Sequence, residues 1–147
     1  MEKLYIKFKP YVILAFIVLI STFVLWLPFL LKSNSWVGLK IKNPGFQTIV
    51  QNFDGPLYVI PAKTLYNVDE ISPPGEGLIV SLPITKEYFA AHLPIYPIFI
   101  RLFSPFFGYL KSMLVVNVVF TILLAWFFYY LLSKYKIKNP LILSTIF

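Results

Sequence analysis

Few side chains in this sequence can do chemistry at neutral pH, which narrows the possibilities. The 147 residues include one histidine, His92, one arginine, Arg101, six acidic residues and no cysteine. Without cysteine, disulfides and thiolate metal sites are excluded, and a single histidine excludes a multi-histidine metal centre. There is no glycine-rich phosphate loop and no Ser-His-Asp order, and no metal or cofactor is expected. One carboxylate stands out, Asp54 in "NFDGPLY". Asp-Gly is a common turn pair, and aspartate also suits the N-cap of a short helix; the alternative is a base that takes a proton. His92 has apolar neighbours and is either a satisfied packing residue or a functional imidazole. Arg101 in "PIFIRLF" can snorkel to headgroups or grip a phosphate through its planar fork. Lys63 can do the same without the fork. Tyr58 and Tyr96 each offer an aromatic face with a polar tip, suited to a sugar or a lipid headgroup and ordinary at a membrane interface. Asp69 and Glu70 form the adjacent acidic pair and are the fallback carboxylates.

The elements that must position these residues belong to a membrane. Hydrophobic residues make up 59% of the chain and charged residues 13%, against about 45–50% and about 25% in a typical soluble domain. The net charge of +7 would suggest nucleic acid in a soluble protein. Here the basic residues flank apolar runs, which is the pattern of a topology signal, so no nucleic-acid partner is expected. The run 11–31, "YVILAFIVLISTFVLWLPFLL", reaches about 30 Å as a helix, enough to cross a bilayer core. It is too long for a signal peptide and lacks a small-x-small cleavage site. Pro28 is expected to bend or end it. The run 112–133, "SMLVVNVVFTILLAWFFYYLLS", is also long enough. In it Asn117 and Thr121 share a face with Ala125, a pattern that suits bonding to a neighbouring helix.

Residues 1–10 carry Lys3, Lys7 and Lys9, and residues 134–139 carry Lys134, Lys136 and Lys138. Two crossings return the chain to its starting side, so the positive-inside rule makes both ends cytoplasmic and residues 32–111 extracytoplasmic. Residues 140–147 open with Pro140, which suits the first turn of a helix. They are expected to begin a third transmembrane helix that the sequence truncates. No Asn-x-Ser/Thr sequon occurs, so nothing argues for passage through a glycosylating lumen. An integral, multi-pass protein of a prokaryotic cytoplasmic membrane is expected.

The outer segment holds nine of the twelve prolines, so long helices are not expected there. "DGPLYVIPAKTLY" reads as a short helix with Asp54 as N-cap, interrupted and kinked at Pro61. "ISPPGEG" is a connector. The aromatic stretch from Glu87 to Lys111 contains Pro94, Pro97 and Pro105 and is too interrupted for a straight span. An interfacial or re-entrant path is expected, pressed against lipid or the helix bundle.

In this order the pieces resemble the integral-membrane glycosyltransferases of the GT-C superfamily, closest to the family 39-like and GPI-mannosyltransferase-like branches. "NFDGPLY" is similar to the family's Asp-Gly-x-x-Tyr element, and "HLPIYPIFIRLFSPFFG" is similar to its "PLYPLLIRL…G" element. The resemblance covers about residues 10 to 134. It implies an all-α membrane protein, a polytopic helical bundle whose large extracytoplasmic first loop contains short helices. It also implies a sugar, a mannose-like hexose, delivered from a polyprenyl-phosphate donor to a glycan, lipid or protein acceptor on the outer face. The family's first-loop aspartate is taken as the base that deprotonates the acceptor hydroxyl, and by the motif that role falls on Asp54. Inverting transfer needs one such base, and the leaving phosphate needs positive or hydrogen-bonding groups, for which Arg101, Lys63 and His92 are available. Asp54 is followed by glycine, so the Asp-Glu pair of some branches is missing. Two other classes remain: a fragment of a transporter or flippase, which would place ionisable groups inside its spans, and a small two-span membrane subunit. Both runs, 11–31 and 112–133, lack charge, which disfavours the transporter.

Overall fold

The computed structural model describes residues 2–50, 55–70, 88–89 and 93–147. Helix α1 runs Glu2–Leu30, followed by a hairpin of β1 (Ser35–Trp36) and β2 (Leu39–Lys40). Then come α2 (Phe46–Val50), α3 (Gly55–Thr64), a 3-10 turn (Val68–Glu70), α4 (Ile95–Phe107), α5 (Tyr109–Lys134) and α6 (Pro140–Ile146). The protein is mostly helical. Among the described residues, two helices are long and apolar enough to cross a membrane, over Phe8–Leu30 and Tyr109–Lys134.

Both long helices stop in the same way, and neither stop uses glycine. After α1, Ser33 N–H donates to the Pro28 carbonyl at 2.8 Å and Lys32 N–H to that of Phe29 at 3.3 Å. After α5, Ile137 N–H donates to the Leu132 carbonyl at 2.9 Å and Lys136 N–H to that of Ser133 at 3.2 Å. These paired bonds are Schellman stops. Each places a lysine in the left-handed region, Lys32 at φ 51° and Lys136 at φ 54°. The ammonium groups complement the negative ends of the helix dipoles. Pro28 lies two residues before the end of α1, so the helix ends close to where the proline was expected to end it.

The chain forms two compact units, 1–27 with 117–147 and 28–116. In the first, the Trp126 indole N–H donates to the Tyr11 carbonyl at 2.8 Å. The Tyr11 ring meets Trp126 and Tyr129 edge-on at centroid distances of 6.0 and 5.2 Å. Leu14, Ala125 and Ser144 are buried there. The Thr121 hydroxyl, expected to reach a neighbouring helix, bonds back to the Asn117 carbonyl of its own helix at 2.8 Å. Asn117 is exposed. Pro140 opens α6 at its first turn, as its missing N–H allows.

In the second unit, Leu57 and Phe89 form a buried cluster with Ile60 against it. The prolines are accommodated in different ways. Pro97 lies in the first turn of α4, whose N–H groups have no intrahelical partner anyway. Pro105 leaves the Arg101 carbonyl without its backbone donor, and the Ser104 hydroxyl fills the gap at 2.8 Å. So α4 forms a continuous 13-residue helix within the stretch expected to be too interrupted for a straight span. Likewise α3 continues through Pro61, which is fully buried, to Thr64.

Candidate functional site

The candidate residues that the structure brings together lie where α3 meets α4. Tyr58 comes from the first turn of α3 and Tyr96 from the first turn of α4. Their rings meet edge-on with centroids 5.0 Å apart, a favoured geometry for aromatic quadrupoles. The Tyr96 hydroxyl donates to the Met113 carbonyl at 3.2 Å, which ties the pair to the start of α5. Met113 in turn reaches Gly55, where an added Cβ would lie 3.1 Å from the methionine sulfur and terminal methyl. The chain thus approaches α5 closely at the residue after Asp54.

Arg101 has a structural task. Its Nη1 donates to the Lys63 carbonyl at 2.7 Å and to the Ala62 carbonyl at 3.2 Å. These carbonyls belong to the last turn of α3, where a cation offsets the helix dipole and satisfies orphan acceptors. Nε and Nη2 have no partner among the described residues. The Lys63 side chain is exposed, with Nζ 5.5 Å from the centroid of the Tyr109 ring. Tyr66 lies at the end of α3, and its hydroxyl holds its proton above the ordinary value of 10.0, first through burial and second through Tyr58. The result is a patch of tyrosines with an ammonium over the Tyr109 ring and a part-used guanidinium. Such a patch can stack a sugar ring and neutralise a phosphate.

The fallback acids behave as turn residues. Asn67 Oδ1 accepts from the Asp69 N–H at 3.2 Å, and Asn67 Nδ2 donates to Glu70 Oε1 at 2.8 Å. Both acids are exposed, and among the described residues neither bonds to Tyr58, Lys63, Tyr96 or Arg101. Asp54 and His92 lie outside the described residues. Sequence reasoning missed Tyr66, Tyr109 and Met113. The missed signal was the glycine at 108, which lets α5 begin directly after α4 and so brings Tyr109 and Met113 beside α3.

Ser112, in the first turns of α5, is wholly buried, and its hydroxyl has no hydrogen-bond partner among the described residues. No family model matches the chain, and no curated protein or solved structure matches it either.

Proposed function

We propose that this chain is part of a membrane glycosyltransferase of the GT-C kind. It moves a hexose from a polyprenyl-phosphate donor to an acceptor on the extracytoplasmic face, with inversion, and Asp54 is the general base. The observation that supports this most is the pairing of the two motif-bearing segments. "NFDGPLY" contributes Tyr58 and "HLPIYPIFIRLFSPFFG" contributes Tyr96, 38 residues later, and the two rings are in contact. Arg101 from the second segment binds the helix that starts right after Asp54. The patch supplies aromatic faces for a sugar and cations for a leaving phosphate. A multi-pass topology follows from the lysines that flank the two apolar helices, with Lys3, Lys7, Lys9 and Lys134 to Lys138 cytoplasmic.

The reading is tested by supplying the full-length protein in vesicles with a radiolabelled hexosyl-phosphoryl-polyprenol and a mixed acceptor extract. Label should pass to acceptor and the product linkage should be inverted. Transfer from a nucleotide sugar alone, or a retained linkage, would sink it.

A further inference from the structure

We propose that the hairpin of β1 and β2 is a binding element for anionic phospholipids, in the leaflet that α1 leaves at Leu30. Its two faces differ in chemistry. Trp36 pairs directly with Leu39, and Ser35 with Lys40. Directly paired residues share a face of the ribbon, and successive residues alternate between faces. One face therefore carries Trp36 and Leu39, and the other carries Lys40. The Ile41 N–H donates to the Asn34 carbonyl at 2.9 Å, so the pairing continues past Lys40. Lys42 then follows Lys40 on the same face. Leu39 is 72% exposed, and Lys40 and Lys42 are exposed as well. The turn between the strands is strained. Val37 has φ 48° and is 87% exposed, a conformation that a β-branched residue rarely adopts. Strain of this kind gathers at places that bind, and an apolar tip gains from lipid what it cannot gain from water.

Position selects lipid as the partner, and charge selects an anionic headgroup. The apolar part of α1, Phe8–Leu30, has 23 residues and is about 35 Å long, slightly more than a bilayer core of about 30 Å. Its last turn therefore reaches the headgroups. The first strand begins at Ser35, within about 18 Å of chain from Leu30. The stop after α1 shortens that reach, because the Ser33 N–H returns to the Pro28 carbonyl. Leu30 and Leu31 are exposed, so apolar side chains continue from the helix end to the hairpin. Residues 31–53 contain Lys32, Lys40 and Lys42 and no acidic residue, so no carboxylate of this stretch competes for the ammonium groups. Lys32 is exposed at the end of α1 itself. An amphipathic element at an interface buries its apolar face about 5–10 Å into the headgroup–acyl boundary. The opposite face then lies among the phosphates, where lysine heads are attracted to anionic lipid. Trp36 suits the same level, since its ring is apolar and its N–H polar. The proposal rests on α1 crossing the bilayer and does not depend on the transfer chemistry.

The chain has no cysteine, so Leu39→Cys accepts a single fluorophore. The labelled full-length protein is reconstituted in phosphatidylcholine vesicles. These contain a trace of phosphatidylglycerol bearing a nitroxide near the headgroup or, at the same mole fraction, phosphatidylcholine bearing the same nitroxide. Iodide in the water is the third quencher, and the fluorophore on glutathione is the water reference. The expected result is about fivefold more efficient quenching by the phosphatidylglycerol label, the worth of one lysine near an anionic surface, with little quenching by iodide. The preference should vanish when Lys32, Lys40 and Lys42 are all changed to Gln. It should persist when all three are changed to Arg, which keeps the charge. Inorganic phosphate should weaken it no more than chloride at equal ionic strength. Equal quenching by the two lipids would overturn the proposal, as would a preference that survives the Gln variant or is lost in the Arg variant. Iodide quenching equal to the glutathione adduct would put the hairpin in water. Protection from every quencher would mean that protein covers it. A preference erased by inorganic phosphate would make a free anion the ligand.

Discussion

Arg101 has a structural task that its residue type alone did not reveal. Its Nη1 bridges the carbonyls of Ala62 and Lys63, and we propose that the rest of the fork takes the donor phosphate. Lysine keeps the charge but lacks the planar fork. Arg101→Lys is expected to lower stability by about 1 kcal/mol, the usual net worth of a hydrogen bond, and to weaken donor use. Thermal unfolding in detergent and donor saturation curves separate the effects; unchanged stability would remove the capping role. Ser112 gives the opposite sign. Its buried hydroxyl has no partner among the described residues, and an unsatisfied group costs about 1–3 kcal/mol. Ser112→Ala is therefore expected to be neutral or to raise the unfolding midpoint, and a clear loss would reveal a bond that the structure lacks. Tyr66 ties stability to alkaline pH. Unfolded tyrosine loses its proton near 10.0, whereas the folded one holds it longer. Above that pH the unfolded state binds fewer protons, so this contribution is at full strength below about pH 10 and declines as pH rises. The Tyr66→Phe variant should show a shallower alkaline loss, and an identical slope would contradict the shift.

At the scale of elements, the helical class and the long apolar helices were legible from composition and from run length. Short helices in the outer segment were expected, but the continuity of α4 through its prolines was not legible, because a proline count takes no account of position. Pro97 falls in a first turn, and Ser104 covers the acceptor that Pro105 leaves open. The partnership of Tyr58 with Tyr96 was equally hidden, since it joins residues far apart in sequence and no local periodicity encodes it. The hairpin after α1 shows a local rule broken without help from packing. Val37 and Gly38 both have positive φ, 48° and 81°, the signature of a type I′ turn, which favours Asn-Gly. Valine there is 87% exposed, so it gains little from burial, and the left-handed region costs a residue with a Cβ roughly 1–2 kcal/mol. Val37→Asn is expected to stabilise the hairpin by about 1 kcal/mol, a fraction of that strain, read by hydrogen exchange at Ser35 to Lys40. Faster exchange in the variant would contradict the turn assignment.

For the whole molecule, the chain divides into two units. Residues 1–27 with 117–147 form a helical unit locked by Tyr11 and Trp126. Residues 28–116 contain the tyrosine patch and every described candidate for sugar or phosphate binding. Asp54 immediately precedes the helix that holds Tyr58 and Lys63, so its assignment can be tested without disturbing that helix. Asn keeps the size of Asp and can still cap a helix through its side-chain oxygen, but it cannot take the proton of an acceptor hydroxyl. The decisive measurement is the initial rate of sugar transfer from a polyprenyl-phosphate donor by full-length Asp54→Asn, beside Asp69→Asn. A fall of about 10²–10⁴-fold in Asp54→Asn, the typical size of a general-base contribution, is expected, with donor binding kept and Asp69→Asn near wild type. Near-wild-type turnover in Asp54→Asn would contradict the assignment and leave Asp54 a turn residue.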